Sequence, residues 1–302
     1  MKADFYVAPG GDDEGPGTIK KPFGTVVRAR NAVRELKRGG LKKDVFVLLR
    51  GGTYELEKPL TFGPEDGGTE KHSVTYAAYG KERPVFTGGT RITGWRQEEE
   101  GVWMADLPEV KAGKWSFRGL FVNGRRATRA RSPNRGFFRV VKPGPDNRTS
   151  FFYREGDIPA LKMPGDAELG LLHDWATSRI TFKSMDPQTR RVTLIAEVGT
   201  RHRRFTFTGF ERHPRYLVEG AAEMLDAPGE WYLDTRTGRL TYLAKKGEKL
   251  NKTEIVAPRL ERLLEVKGRG GEPVRNLHLV GLTFEHTSWP MPEFGVSCGQ
   301  AA

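Results

Sequence analysis

The sequence predicts an all-β fold: a solenoid of short coils interrupted by an antiparallel β-domain. Glycine and proline are frequent, at 37 and 19 of 302 residues, and they punctuate many short apolar runs. That is the texture of short strands separated by turns. Between residues 44 and 94 the runs are joined by bends, without two-residue hairpin turns or crossover helices. Coils of a solenoid read this way. From about Trp95 to residue 256 the texture changes to hairpins.

The one clear helix comes early. In PFGTVVRARNAVRELKRGG, Val26, Ala29, Val33 and Leu36 fall on one face, with Arg28, Arg34, Glu35 and Lys37 elsewhere. Pro22 precedes its start and Gly39-Gly40 close it. Such a helix would cover the open end of a first coil and hide its unpaired strand edge. Val45 to Leu49 is apolar at consecutive positions, as expected of a strand covered on both faces. KPLTFG, HSVTYAAYG and RPVFTGG follow, each ended by glycine. Asn123-Gly124 in LFVNGRRATRA is a strong hairpin signal. Two more hairpins are expected to turn at Asp186-Pro187 and at Thr235 to Gly238. APRLERLLEVKG and VRNLHLVGLTFEHT then return to the earlier style.

The expected division is a cap helix with first coils over 1–94, an antiparallel insertion over 95–256, and resumed coils over 257–302. The run ends at Ala302 after a Pro-rich turn, so the expectation is a solenoid cut off while still winding. An uncovered strand edge would then favour self-association.

The net charge of +12 raises nucleic acid and acidic polysaccharide as partners. The densest cluster, Arg118 to Arg135, reads as solvated arginines on a hairpin. The basic residues are otherwise dispersed and match no nucleic-acid module, so polyanion or nucleic-acid binding is the third reading and is not expected. The single cysteine, Cys298, excludes an intramolecular disulfide and a cysteine zinc cage. No run approaches the roughly 20 apolar residues of a membrane span. MKADFYVAPGG lacks the apolar core of a signal peptide, so either the protein is cytoplasmic or its true start lies upstream. GVSCG spells a nucleophile elbow, but it follows a Pro-rich loop and lacks the strand before and helix after that such an elbow needs. Cys298 carries no nucleophile signature either.

DFYVAPGGDDEGPGT, KPFGTVVRARNAV, VFVLLRGGTYELEKPLTF, RPVFTGG, LFVNGRRATRARSPN, PGEWYLDTRTGRLTYL and GLTFEHTSW occur in that order. Together they resemble the N-terminal part of bacterial right-handed parallel β-helix proteins similar to glycoside hydrolase family 141. The stretch from about Trp95 to Val256 resembles that group's insertion domain. The resemblance implies a right-handed parallel β-helix and a carbohydrate-active protein, a glycoside hydrolase acting on plant, algal or other complex polysaccharide. It implies an oligo- or polysaccharide partner and an extracytoplasmic location. It also implies catalytic carboxylates on later coils; no residue here matches a catalytic position of the family. The alternative is a non-catalytic carbohydrate-binding or structural β-helix protein, because fold does not fix function.

Glycoside hydrolysis needs two carboxyls facing one cleft, roughly 5 to 9 Å apart. Stacked coils can supply such a pair because adjacent strands lie about 4.8 Å apart. Alternation in LTFEHT turns Leu282 and Phe284 inward and Thr283 and Glu285 outward. Glu285 is therefore the one solenoid carboxylate nominated for catalysis, with His286 beside it and Trp289 available to stack on a sugar. The bland reading is a solvated glutamate. In the insertion, His173 to Trp175 and Glu230 to Asp234 set Trp175 and Trp231 beside ionisable groups, as a sugar subsite would. A tryptophan in a small β-domain is more often core. Asp12, Asp13 and Glu14 could bind calcium, although acidic turns more often bind water; no other metal or cofactor is expected.

Overall fold

The computed structural model describes residues 3–199, 204–249 and 252–299, so the last three residues of the expected segment 257–302 lie outside the described residues. The chain is mainly β and forms two compact units: Met1–Thr90 with Ala257–Ser288, and Arg91–Val256 with Trp289–Ala302.

The first unit opens with strand β1 (Phe5–Val7) and the helix α1 (Val26–Lys37). Five short strands follow: β2 (Val45–Leu49), β3 (Gly52–Glu55), β4 (Leu60–Phe62), β5 (Val74–Ala78) and β6 (Pro84–Thr87). β1, β2 and β5 pair in parallel, and so do β3 and β6. After residue 256 the same sheets are extended. Leu264–Val266 pairs with β4, Leu277–Val280 with β5 and Thr283–Glu285 with β6, all in parallel. From β2 onward the chain thus visits three sheets in a repeating order. Residues 91–256 interrupt that order after β6.

Register stacks like on like. Val45, Val74 and Leu277 share a column, and so do Val47, Tyr76 and Leu279. Tyr54, Phe86 and Phe284 form an aromatic column with ring centroids 5.2 and 5.3 Å apart. Phe86 is buried, whereas Phe284 is 41% exposed. Among the described residues no strand pairs with the outer edge of Thr283–Glu285. The two ends of the interruption are tied together at Gly88, whose carbonyl accepts the N–H groups of both Arg259 and Leu260. A Cβ on Gly88 would meet Leu263 at 2.4 Å, so only glycine permits that approach.

Helix α1 covers the core with Val26, Ala29, Ala32 and Val33. Leu36, expected on that face, lies in the last turn and is exposed. That turn is held instead by polar contacts. The Arg34 guanidinium forks onto Asp66 at 2.6 and 2.7 Å, Asp66 being fully buried, and Lys37 donates to the carbonyls of Glu65 and Gly67. At the other end Thr25 caps the helix by accepting from Arg28 N–H. Asp13 in turn accepts from the backbone of Gly24 and Thr25 and from the Thr25 hydroxyl. Asp12 accepts from Glu14 N–H. Asp13 thus ties this acidic turn to the start of the helix.

The second unit is largely antiparallel. Asn123 and Gly124 turn a hairpin with φ of 49° and 71°. The other two expected hairpins pair Ala176–Asp186 with Arg191–Leu194, and Glu230–Asp234 with Arg239–Leu243. The expected segment 257–302 divides. Its last strand, Val296–Gly299, joins the second unit by pairing antiparallel with Ala176 to Arg179. After a Pro-rich turn the chain satisfies the open edge of that strand, which would otherwise leave backbone groups unpaired.

Glu168 and Glu219 stand directly opposite one another in this sheet, an arrangement that repels unless countered. Arg179 Nη1 donates to both carboxylates, at 2.6 and 2.7 Å. Arg118 and Arg129 add donors to Glu168, which is buried. Burial alone would raise the Glu219 carboxyl. The Arg179 hydrogen bond and charge outweigh it and hold the group below the usual carboxylate range.

Two consequences can be measured. Val33→Asp sets an unpaired charge against the core and should cost several kcal/mol, about 3 or more; an unchanged thermal midpoint would make α1 peripheral. The depressed Glu219 stabilises the fold fully above its unfolded value near 4.3, and that contribution is lost as pH falls through the lower folded value. Chemical denaturation from pH 6 to pH 3 should therefore show a shallower acid loss in Glu219→Gln than in the parent. Parallel curves would mean that Glu219 ionises as it does in the unfolded chain.

Candidate functional site

Two places answer to the sequence candidates, one in each unit. The first is the outward face of β6 and Thr283–Glu285. Because Phe284 shares a column with Phe86, its neighbours Thr283 and Glu285 point the other way. Glu285 is half-buried and pairs with the exposed guanidinium of Arg83. His286, at φ 63°, places Nδ1 2.9 Å from the Thr87 hydroxyl and Nε2 4.0 Å from Glu285. The imidazole is nearly buried against Thr87.

A second carboxylate that sequence reading missed joins this face. Glu55, Thr87 and Glu285 share one column. Glu55 and Glu285 are two strands apart, so their Cα atoms stand about 9.6 Å from each other. Glu55 also lines a cleft of about 510 Å³ with Tyr54, Leu56 and Lys58. Parallel register was the missing signal: no local pattern ties residue 55 to residue 285.

The second place is a two-residue turn in the second unit. His173 and Ala176 close the hairpin, and Asp174 takes φ 47° at the tip. The turn lifts Trp175 into water at 64% exposure. There its ring stacks on Phe210, with centroids 5.8 Å apart and planes 21° apart. Phe210 is 82% exposed. Leaving such side chains in water forgoes about 1.5 to 3 kcal/mol each.

The loop that carries Phe210 is pinned from several sides. Asp174 Oδ1 accepts from Glu211 N–H at 2.8 Å. A Cβ on Gly209 would lie 2.1 Å from the Asp174 carboxylate, so the loop passes too close for a side chain there. Arg139 donates to Glu211 and to the His213 carbonyl, both at 2.8 Å. Arg215 lies 3.3 Å from the same Glu211 carboxylate, and His213 Nδ1 donates to the Val140 carbonyl.

The remaining candidates sort differently. Trp231 lies in the core: it is 1% exposed and packs on Phe117, with centroids 5.5 Å apart. Strand alternation decides this, since Glu230–Asp234 sits inside a sheet whose Leu240 and Tyr242 are also buried. Beside it Glu230 accepts from Asp226 and Ala227 N–H groups, and burial raises its carboxyl. His173 is buried 2.9 Å from the Ser178 hydroxyl, and burial lowers its imidazole. Trp289 is exposed and belongs to the second unit rather than to the one that carries Glu285 and His286. Among the described residues no three His, Cys, Asp or Glu side chains converge to hold a metal, and no helix is long and apolar enough to cross a membrane.

Residues 100–245 match the family described as the GH141 insertion domain. A solved glycoside hydrolase is similar at 27% identity and a TM-score of 0.79, over 94% of this chain and 51% of its own. The chain thus spans about half the length of that hydrolase. A solved complex of XylC with xylose is similar at 18% identity, over 97% of this chain and 36% of that one. Its TM-score is 0.45. No curated protein sequence matches the chain.

Proposed function

We propose that this chain is part of a carbohydrate-active protein, a glycoside hydrolase of complex polysaccharide built on a right-handed parallel β-helix. Residues 91–256 are its insertion. The observation that carries the reading is the coincidence of two boundaries. The match to the GH141 insertion domain, 100–245, falls inside the stretch that interrupts the three parallel sheets. Strands that visit three sheets in fixed order, joined by bends, trace the path of a β-helix coil. Handedness follows the strong preference of parallel connections.

The chemistry of glycoside hydrolysis demands two carboxyls that converge on one cleft. Among the described residues of the first unit, the strand register aligns Glu55 with Glu285. Thr87 stands between the two in that column, and Arg83 already engages Glu285. This favours acid and base residues in the half of the hydrolase that this chain does not cover. The chain itself then contributes saccharide contact rather than bond cleavage. That separates it from a purely structural β-helix, which would contact no glycan.

Purified protein incubated with aryl glycosides, xylan, pectin and fucose-containing glycans tests this. Expected are retention on at least one polysaccharide and no turnover at an enzymatic rate. Turnover abolished by Glu285→Gln would place the catalytic pair on Glu55 and Glu285 and overturn the assignment to the uncovered half. Neither retention nor turnover on any of them would sink the carbohydrate reading.

A further inference from the structure

We infer that Trp175 and Phe210 form a saccharide-binding platform on the second unit, taking the apolar face of pyranose rings in an oligo- or polysaccharide. The inference rests on the carbohydrate reading above and adds to it a named binding place on the second unit.

A loop free to relax would fold its phenylalanine down. Here residues 209–213 are fastened by Asp174, Arg139 and the Val140 carbonyl, and the ring still stands out in water. Trp175 is held out beside it by a turn whose first residue adopts positive φ. Two large rings are thus preorganised at one spot, so binding needs little further ordering. Stacked on one another, the rings turn one face each inward, and their high exposure leaves outer ring surface open to a ligand.

The chemistry that fits such a surface has a flat apolar face and polar edges. A pyranose ring offers axial C–H bonds to the π-faces and equatorial hydroxyls to its surroundings. Around the rings stand donors and acceptors of the matching kind: the exposed Arg212, and Glu211 with Arg139 and Arg215. Three arginines against one glutamate leave this surround net positive, so it can meet the hydroxyls of a neutral glycan and the carboxylates of an acidic one. A protein partner would want a wider apolar area than two rings.

Affinity gel electrophoresis in soluble xylan, pectin and a fucose-containing glycan tests the platform on the full chain. The parent should be retarded in at least one gel. Trp175→Ala and Phe210→Ala should each weaken retardation about tenfold, as loss of a stacked ring predicts. Phe294→Ala, loss of another exposed aromatic ring on the second unit, should leave it unchanged. Unaltered thermal midpoints show that the exposed substitutions kept the fold. Retardation that survives both platform variants overturns this inference while leaving the carbohydrate reading intact. A parent that is not retarded at all overturns both. If the parent instead dimerises and Trp175→Ala makes it monomeric, with retardation unchanged, the platform is a contact between copies and the inference fails.

Discussion

Parallel register across a long gap in sequence is the constraint on which this molecule depends. Phe284 must meet Phe86, and Leu264 must meet Leu60, although about two hundred residues separate the partners. Closing so long a loop costs only logarithmically more than closing a short one, and the intervening residues reduce that cost by folding on a core of their own. The chain therefore needs a point where departure and return are fixed together. Gly88 supplies it, with one carbonyl taking two N–H groups from the returning segment and no side chain in the way.

The second unit solves another problem, that of charge inside a sheet. Two glutamates face each other where apolar residues would pack with less risk. Three guanidinium groups share the load, and Arg179 alone bridges both carboxylates. A buried ion cluster is weak evidence for stability, since its desolvation offsets most of its attraction. It is strong on direction, because the planar fork of arginine admits few geometries. The same strands carry the Trp175 turn at their far end, so a unique strand register there also fixes where the exposed rings stand.

Much of the fold was legible because it is written in local signals. The α1 boundaries, the Asn123-Gly124 turn and the change of texture at either end of the interruption are each readable within about a dozen residues. What escaped was non-local. Val296 to Gly299 falls in the stretch expected to resume the coils, yet it becomes a strand of the second unit because the edge at Ala176 to Arg179 needs a partner. The Glu55–Glu285 column is likewise invisible without the register that makes it.

The tryptophans show why the candidate site was legible only in part. Trp175 and Trp231 both sit beside acidic residues in strand-like runs, and composition cannot tell them apart. Position within the hairpin does. Trp231 lies on a strand, one face of which must go to the core, and pairs in register with the buried Tyr242. Trp175 occupies the second place of a two-residue turn, where no face of the sheet exists to receive it. A large apolar side chain at a tight turn is therefore a different statement from the same side chain three residues along a strand. Burial explains the strand position fully. The turn position keeps its exposure even with a second ring alongside, and a fold that holds both rings rigidly in water leaves their free faces for a ligand.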